Sequence, residues 1–312
     1  MTTALDIFTV IDPELESVAN ELLGIDPDGL RWAAVIRHTF DMIYNGQDTG
    51  RYRWDQLFKT EKTHFGTLFE INAQREFGFY DGEDMDFEIA GVDVDAKWSQ
   101  RDGGWMLPPE SFGHLALVGT ASDERSVWSI GVVRVSEENR RVKVNRDLKS
   151  TLSPVGRAAV KWIWKDAPLM PNILLQLPRP DVDVIFEGRS GQDKILRLLK
   201  AAEGRTIHRT AIATVGRQLD PMKRIRANGG ARTRLAAEGY LVLSGDYHAS
   251  LAAAFELKVP GRSEVVAIRV VPTESAGVLI AGRKWRRAIG TDTIVEAAPV
   301  LPVAGKGETE EV

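Results

Sequence analysis

The chain of 312 residues contains no cysteine. That removes disulfides, thiolate catalysis and cysteine-bound zinc or iron–sulfur centres from consideration, and it fits a reducing, cytoplasmic setting. No apolar run reaches the roughly eighteen residues needed to cross a bilayer, and the opening MTTALDIFTV has neither a basic leader nor a long apolar core. Neither membrane insertion nor secretion is therefore expected. Internal repeats are also absent, and only the Gly/Glu-rich stretch 304–312 has the composition of a disordered tail.

What is present is an ordinary globular composition, 43% hydrophobic and 27% charged, with enough length for two compact domains at roughly 150 residues each. The net charge of −4 conceals a division. Residues 1–100 carry 8 Lys/Arg against 20 Asp/Glu, whereas 194–287 carry 18 against 7. The two parts suggest different tasks, and the basic one suits a polyanion such as nucleic acid. Charge alone fits a solvated surface equally well.

Local signals punctuate the chain. Asp12-Pro13 opens a helix that Gly24 closes, a second helix spans 29–44, and a third runs from about Phe65 to Glu76. Strands are predicted at 115–119 and 128–135, and a helix at 154–164 with Ser153 as its cap. Pro168, Pro171, Pro178 and Pro180 mark a boundary. The predicted organisation is a first domain over 1–165, a linker over 166–171 containing the first two of these prolines, and a second domain over 172–303. Residues 173–177 read as a short strand.

The most informative run is DMDFEIAGVDVDAKW, residues 84–98. Met85, Phe87, Ile89, Val92, Val94, Ala96 and Trp98 alternate with Asp84, Asp86, Glu88, Asp93, Asp95 and Lys97 on both sides of Ala90-Gly91. Strict alternation about a two-residue turn predicts a β-hairpin. Asp86 then lies across from Asp95, and Asp84 across from Lys97. Opposed side chains have Cβ atoms about 4.5 to 5.5 Å apart, so two bare carboxylates would repel. A hard divalent cation such as Mg²⁺ reverses the sign of that interaction. Lys97, two residues beyond Asp95, shares its face and can reach a phosphate.

Acid-x-Lys also occurs at Asp147-Leu148-Lys149 and Glu256-Leu257-Lys258, but only Asp95-Ala96-Lys97 has a strand before it with another acid opposite. The bland alternative is a solvated hairpin face with an Asp84–Lys97 ion pair. Against it stands an excess of five acids over one base on that face, from which a bare sheet gains nothing. Glu70, on the preceding helix, could supplement the cluster by bonding a water there, or be a plain surface residue.

In the basic part, Asp220-Pro221 opens a helix MKRIRA that breaks at Asn228-Gly229-Gly230, followed by a helix ARTRLAAE and a strand 240–243. Helix, glycine turn, helix, strand is the order of a winged helix-turn-helix, which would turn Lys223, Arg224, Arg226, Arg232 and Arg234 toward DNA. Arginine pairs with guanine, so so many arginines suit a G·C-rich target. Arg283 and Lys284, in a further basic strand, would add phosphate contacts. From the residues alone, a sequence-specific nuclease, a repair or structure-specific nuclease and a non-catalytic helix-turn-helix regulator all stay open.

The segments YRWDQL, KTEKTH, GTL with Glu70-Ile71-Asn72, EIAGV followed by Asp95 and Lys97, WMLPPES, NRDLK, AIATV and GGAR lie collinearly between about Asp26 and Glu296. In content and spacing this set resembles the NaeI family of type IIE restriction endonucleases, of the PD-(D/E)xK nuclease class. The resemblance implies an α/β fold: a restriction-endonuclease-like mixed sheet flanked by helices, then a catabolite-activator-like winged helix-turn-helix domain. It implies a homodimer binding two copies of a palindrome, GCCGGC, one cut and one acting as effector, and a separate methyltransferase to protect host DNA. It places the catalytic positions on Glu70, Asp86, Asp95 and Lys97, with Mg²⁺ on Asp86, Asp95 and the Ala96 carbonyl. Met85 stands where the class name has proline. Ile43-Tyr44-Asn45-Gly46 occupies the place of a ligase-like KxDG motif but lacks its lysine and acid, so no covalent nucleotide is expected.

Overall fold

The structure, a computed structural model, describes residues 12–217, 220–225 and 230–301. Arg226 and the tail 304–312 lie outside the described residues, as does the opening segment. The chain divides into two compact units: residues up to Ile43 with Leu57–Pro171, and Tyr44–Gln56 with the residues from Asn172 onward.

In the first unit, α1 (Pro13–Ile25) is opened by the Asp12 carboxylate, which accepts from the Leu15 N–H at 3.1 Å, with proline in the first turn. α2 (Leu30–Tyr44) follows as predicted, and a single turn, α3 (Gly46–Thr49), falls in the other unit. α4 (Lys59–Phe77) starts earlier than its apolar period suggests, because Glu61 reaches back to accept from the Phe58 N–H at 2.8 Å. Then come β1 (Phe87–Ile89), β2 (Val92–Trp98), β3 (Leu115–Ser122), β4 (Val127–Arg134), α5 (Pro154–Ala158) and β5 (Lys161–Pro168). The strands form one sheet in the order β1-β2-β3-β4-β5, antiparallel except for the parallel β2–β3 pair.

Both sheet faces are covered. Phe65 and Phe69 of α4 lie with ring centroids 4.7 and 4.8 Å from Trp98 on one face. A cluster of Trp105, Leu107, Ala116, Val118 and Val133 covers the other. The hairpin register is the one alternation predicts, with Phe87 beside Val94 and Ile89 beside Val92. Ala90 and Gly91 both have positive φ, 54° and 72°, the requirement of a type I′ turn.

Two expectations fail in this unit. The helix predicted over 154–164 stops at Ala158, and Lys161-Trp162-Ile163-Trp164 pairs with β4 instead. Alternate aromatic and β-branched residues fit a pleated surface, and an unpaired sheet edge was waiting for them. The strand runs on through Pro168 and so takes up the first half of the predicted linker; proline is tolerated at the end of an edge strand.

The second unit holds α6 (Ile173–Gln176), α7 (Arg179–Phe186), α8 (Gly191–Ala201), β6 (Thr206–His208), α9 (Arg209–Gly216), α10 (Ala231–Ala236), β7 (Tyr240–Ser244), α11 (Ala249–Ala254), β8 (Glu264–Pro272), β9 (Val278–Ile280) and β10 (Arg283–Arg287). β8 is the hub: β6, β7 and β10 all pair with it antiparallel, and β9 pairs with β10. Ile195, Leu198 and Leu199 of α8, Ile212 and Val215 of α9, and Leu235 of α10 form the core. Tyr52, from the early segment, joins that core and stacks on Phe186 at 5.6 Å. Gly46 lies so close to α9 that a Cβ there would sit 2.1 Å from Thr214 Oγ1, so only glycine fits.

Residues 173–177, predicted as a strand, form the α6 turn, whose Asn172 cap accepts from the Leu174 N–H at 3.2 Å. The predicted helix MKRIRA is a single 3₁₀ turn over Pro221–Arg224, capped by Asp220. Its apolar residues Met222 and Ile225 are three apart, a spacing that eclipses in a 3₁₀ turn. The described α-helix before α10 is therefore α9. Taken together, the chain is mixed α/β, with two sheets and helices. Among the described residues no helix is long and apolar enough to cross a membrane.

Candidate active site

The hairpin puts Asp86, Asp95 and Lys97 together, and local chemistry explains how. Asp95 and Lys97 belong to β2, an interior strand, so Asp95 is only 4% exposed. Asp86 lies one residue before β1, and its Oδ2 accepts from the Ala96 N–H at 2.7 Å, which ties it across the hairpin to β2. The loop that delivers it is held by Asp93, whose carboxylate accepts from the N–H groups of Glu83 at 2.9 Å and Asp84 at 3.0 Å. Gly82 fits inside this loop because a Cβ would lie 2.6 Å from the Met85 carbonyl and 2.8 Å from Asp93 Oδ1. Sequence reasoning placed Asp93 on the acidic face without seeing this anchoring task. The Asp84 backbone N–H is held by Asp93 and Lys97 pairs with Asp86 and Asp95, so the predicted Asp84–Lys97 pairing does not form; β1 begins at Phe87 and its ladder never reaches Asp84.

Lys97 Nζ donates instead to three oxygens: Asp95 Oδ1, the Ala96 carbonyl at 3.1 Å and Asp86 Oδ2 at 3.5 Å. These are the groups that the family resemblance assigned to Mg²⁺. Burial pushes the Asp95 carboxyl up to about 7; Lys97 opposes the rise and Asp86 adds to it. Glu70, half-buried on α4, also has its carboxyl raised, first by burial and then by Asp86. That coupling places Glu70 within electrostatic reach of the cluster.

Among the described residues no three His, Cys, Asp or Glu side chains form a preformed metal cage. The cluster nevertheless fits a hard cation that keeps several waters, since its donors are all oxygen: two carboxylates and a carbonyl. Asp95 Oδ2 is buried and has no hydrogen-bond partner. A buried, unpartnered carboxylate oxygen is costly unless something positive meets it.

The basic residues are less concentrated. Lys223 and Arg224 are exposed on the 3₁₀ turn, and Arg234 is exposed on α10. Arg232, on the same helix, turns inward: its Nε donates to the Val242 carbonyl and its Nη2 to Ser244 Oγ, both at 3.0 Å. Burial lowers its pKa from the ordinary arginine value. Arg283 is paired with Glu296 at 2.8 Å and lies 5.6 Å from the Trp285 ring, whereas Lys284 is exposed.

A mixed sheet that gathers two carboxylates and a lysine at one hairpin, in a chain that also carries a basic unit, defines a class: the restriction-endonuclease-like nucleases. Residues 16–296 match the family model "Restriction endonuclease NaeI". The type II restriction enzyme NaeI of Lentzea aerocolonigenes is 47% identical over 307 residues, covering 95% of this chain and 96% of that one. The chain belongs to the NaeI restriction endonuclease family, and its enzyme class is that of type II site-specific deoxyribonucleases. Enzymes of this type generally use a divalent metal.

Proposed function

We propose that this protein is a type IIE restriction endonuclease. With Mg²⁺ it hydrolyses both strands of double-stranded DNA at a palindrome, GCCGGC, and leaves 5′-phosphates. The observation that carries this reading is the convergence of Asp86, Asp95 and Ala96 on Lys97. Asp86, Asp95 and the Ala96 carbonyl would hold Mg²⁺, which would supply stabilisation of the charge that develops on the phosphoryl oxygens. Lys97 is a held positive charge that orients a phosphate oxygen rather than a proton acceptor, since its Nζ donates to Asp95, Asp86 and the Ala96 carbonyl. Glu70 bonds a water beside the cluster.

Cleavage is assigned to the first unit and binding of the effector copy of the site to the second, which includes Tyr44–Gln56. The order α8, β6, α9, α10, β7, β8, with β6 and β7 on either side of β8, supports a winged-helix reading. In it α9 and α10 are the helix pair, and Lys223, Arg224, Arg234 and Lys284 meet an effector copy of the site. Cutting both strands of a palindrome requires two active sites about a two-fold axis, hence a homodimer. A separate methyltransferase protects the host's DNA, and the enzyme works in the cytoplasm.

Digestion of a fully sequenced plasmid with Mg²⁺, followed by mapping of the ends, tests this. Double-strand breaks at one palindrome with 5′-phosphates are expected, and chelation should stop them. Breaks without a common sequence would indicate a repair or structure-specific nuclease. No breaks at all would leave a DNA-binding regulator.

A further inference from the structure

The sheet face that carries Asp95 and Lys97 continues beyond them. Asp95 lies beside Ala116 and Lys97 beside Val118 in the parallel β2–β3 pair. By the strand period of two, Thr120 is next on that face, and Ser129 of β4 lies beside it. Here, past the carboxyl end of β2 and against the last residues of β3, a cleft of 280 Å³ opens, lined by Gln100, Asp102, Thr120, Arg125, Lys165 and Asp166 among others. Thr120 is two residues past Val118, so the cleft starts roughly 7 Å along the strand from Lys97.

Several features mark the cleft as built for a ligand. The β4–β5 register shifts on both sides of Ile130, and Asp166 has a φ of 50°. Bulges re-aim side chains, and a left-handed non-glycine residue is a cost retained where something depends on it. The Asp166 N–H donates to Ser129 Oγ at 2.9 Å, which fixes the turned backbone. Gln100 is anchored through Nε2 to the Ala121 carbonyl at 2.9 Å, while its Oε1 has no hydrogen-bond partner. The lining is also balanced in charge: Arg125 and Lys165 stand against Asp102 and Asp166. A phosphate grip would be of one sign. Interspersed donors and acceptors match the edge of a base pair.

We propose that this cleft is a base-reading subsite of the cleavage unit, taking the groove edge of a base pair near the scissile phosphate. Arg125 and Lys165 donate to purine acceptors, and Asp166 accepts from an exocyclic amino group. The proposal rests on the nuclease reading above and adds to it which residues choose the sequence.

Asp166→Asn is the sharpest probe, because asparagine tolerates the left-handed backbone and exchanges one acceptor for a donor. Cleavage of the recognised site and of all its single-base-pair variants is measured for wild type, Asp166→Asn and Lys165→Ala, with melting temperature and non-specific DNA binding alongside. The expected result is a loss of about 10- to 100-fold in kcat/KM on the recognised site. Preference should relax at one base-pair position, with melting and non-specific binding unchanged. If Asp166→Asn does not fold, Arg125→Ala, at an exposed turn, carries the same test. Equal loss on every site, or unchanged discrimination at every position, overturns the cleft proposal while wild type still cuts. If wild type cuts no site with Mg²⁺, the nuclease reading fails and this proposal falls with it.

Discussion

Each unit sets a charge against a strand, Asp95 buried in the first and Arg232 partly buried in the second, and the two are satisfied in opposite ways. Asp95 keeps one oxygen without a partner and shares the other with Lys97, which divides its hydrogen bonds among three acceptors. Arg232 is bonded to a backbone carbonyl and a hydroxyl, with no carboxylate among its hydrogen-bond partners. A charge with unused capacity is poised for a ligand; one whose bonds run to β7 holds the fold together. Burial of a charged side chain therefore does not by itself mark a site. What distinguishes them is whether a buried polar atom is left without a partner, as Asp95 Oδ2 is and no atom of Arg232 is.

The largest expected effect falls on the unfinished charge. Asp95→Ala and Lys97→Ala should each lower plasmid cleavage by at least about a thousandfold, the scale of removing a group that stabilises transition-state charge. DNA binding in a gel-shift assay should survive. Cleavage retained by either variant would break the contrast at its stronger end. Arg232→Ala should act in the other currency, lowering stability by about 1–3 kcal/mol in urea titration through its two lost charge-assisted bonds. Unchanged stability would mean that its bonds do not hold α10 to β7.

These outcomes also bear on what could be read in advance. The hairpin was legible because alternation fixes both face and register: Phe87 opposite Val94 follows from the period and the Ala90-Gly91 turn. Asp93 was on the right face, but its task depends on where a loop returns, and no period encodes that. The arginines had only density to offer. Arg232 and Arg234 are two apart on one short helix, so one points inward and the other out, and composition does not say which. The β5 strand was missed because Ser153-Pro154 is a genuine helix start, and the competing pairing partner β4 lies far away in sequence.

A smaller effect comes from pH, and its sign is fixed by the raised Asp95 pKa. A carboxyl titrating near 7 when folded and near 3.8 when unfolded binds its proton more tightly in the folded state. Its contribution to stability is full below the unfolded value and is lost as pH rises through the folded one. Metal-free protein should therefore melt at a lower temperature at pH 8 than at pH 5, and Asp95→Asn should flatten that difference. Mg²⁺ at pH 8 should raise the wild-type melting temperature and leave Asp95→Asn unmoved. An identical pH slope in the variant would show that Asp95 is not the group responsible.

The smallest expected effect sharpens the comparison from the exposed side. Arg234 sits two residues from Arg232 but faces solvent. Arg234→Ala should leave urea stability within about 0.5 kcal/mol of wild type, as surface changes do. If the second unit grips DNA through its exposed bases, the same change should weaken binding by roughly fivefold at low salt and lower the salt dependence by about one ion. Arg232→Ala, compared at temperatures where it is folded, should keep its salt dependence. Were the two reversed, with Arg232 carrying the salt-dependent affinity and Arg234 the stability, the inward arginine would be the DNA contact. A buried atom left without a partner would then no longer separate functional charges from structural ones in this protein.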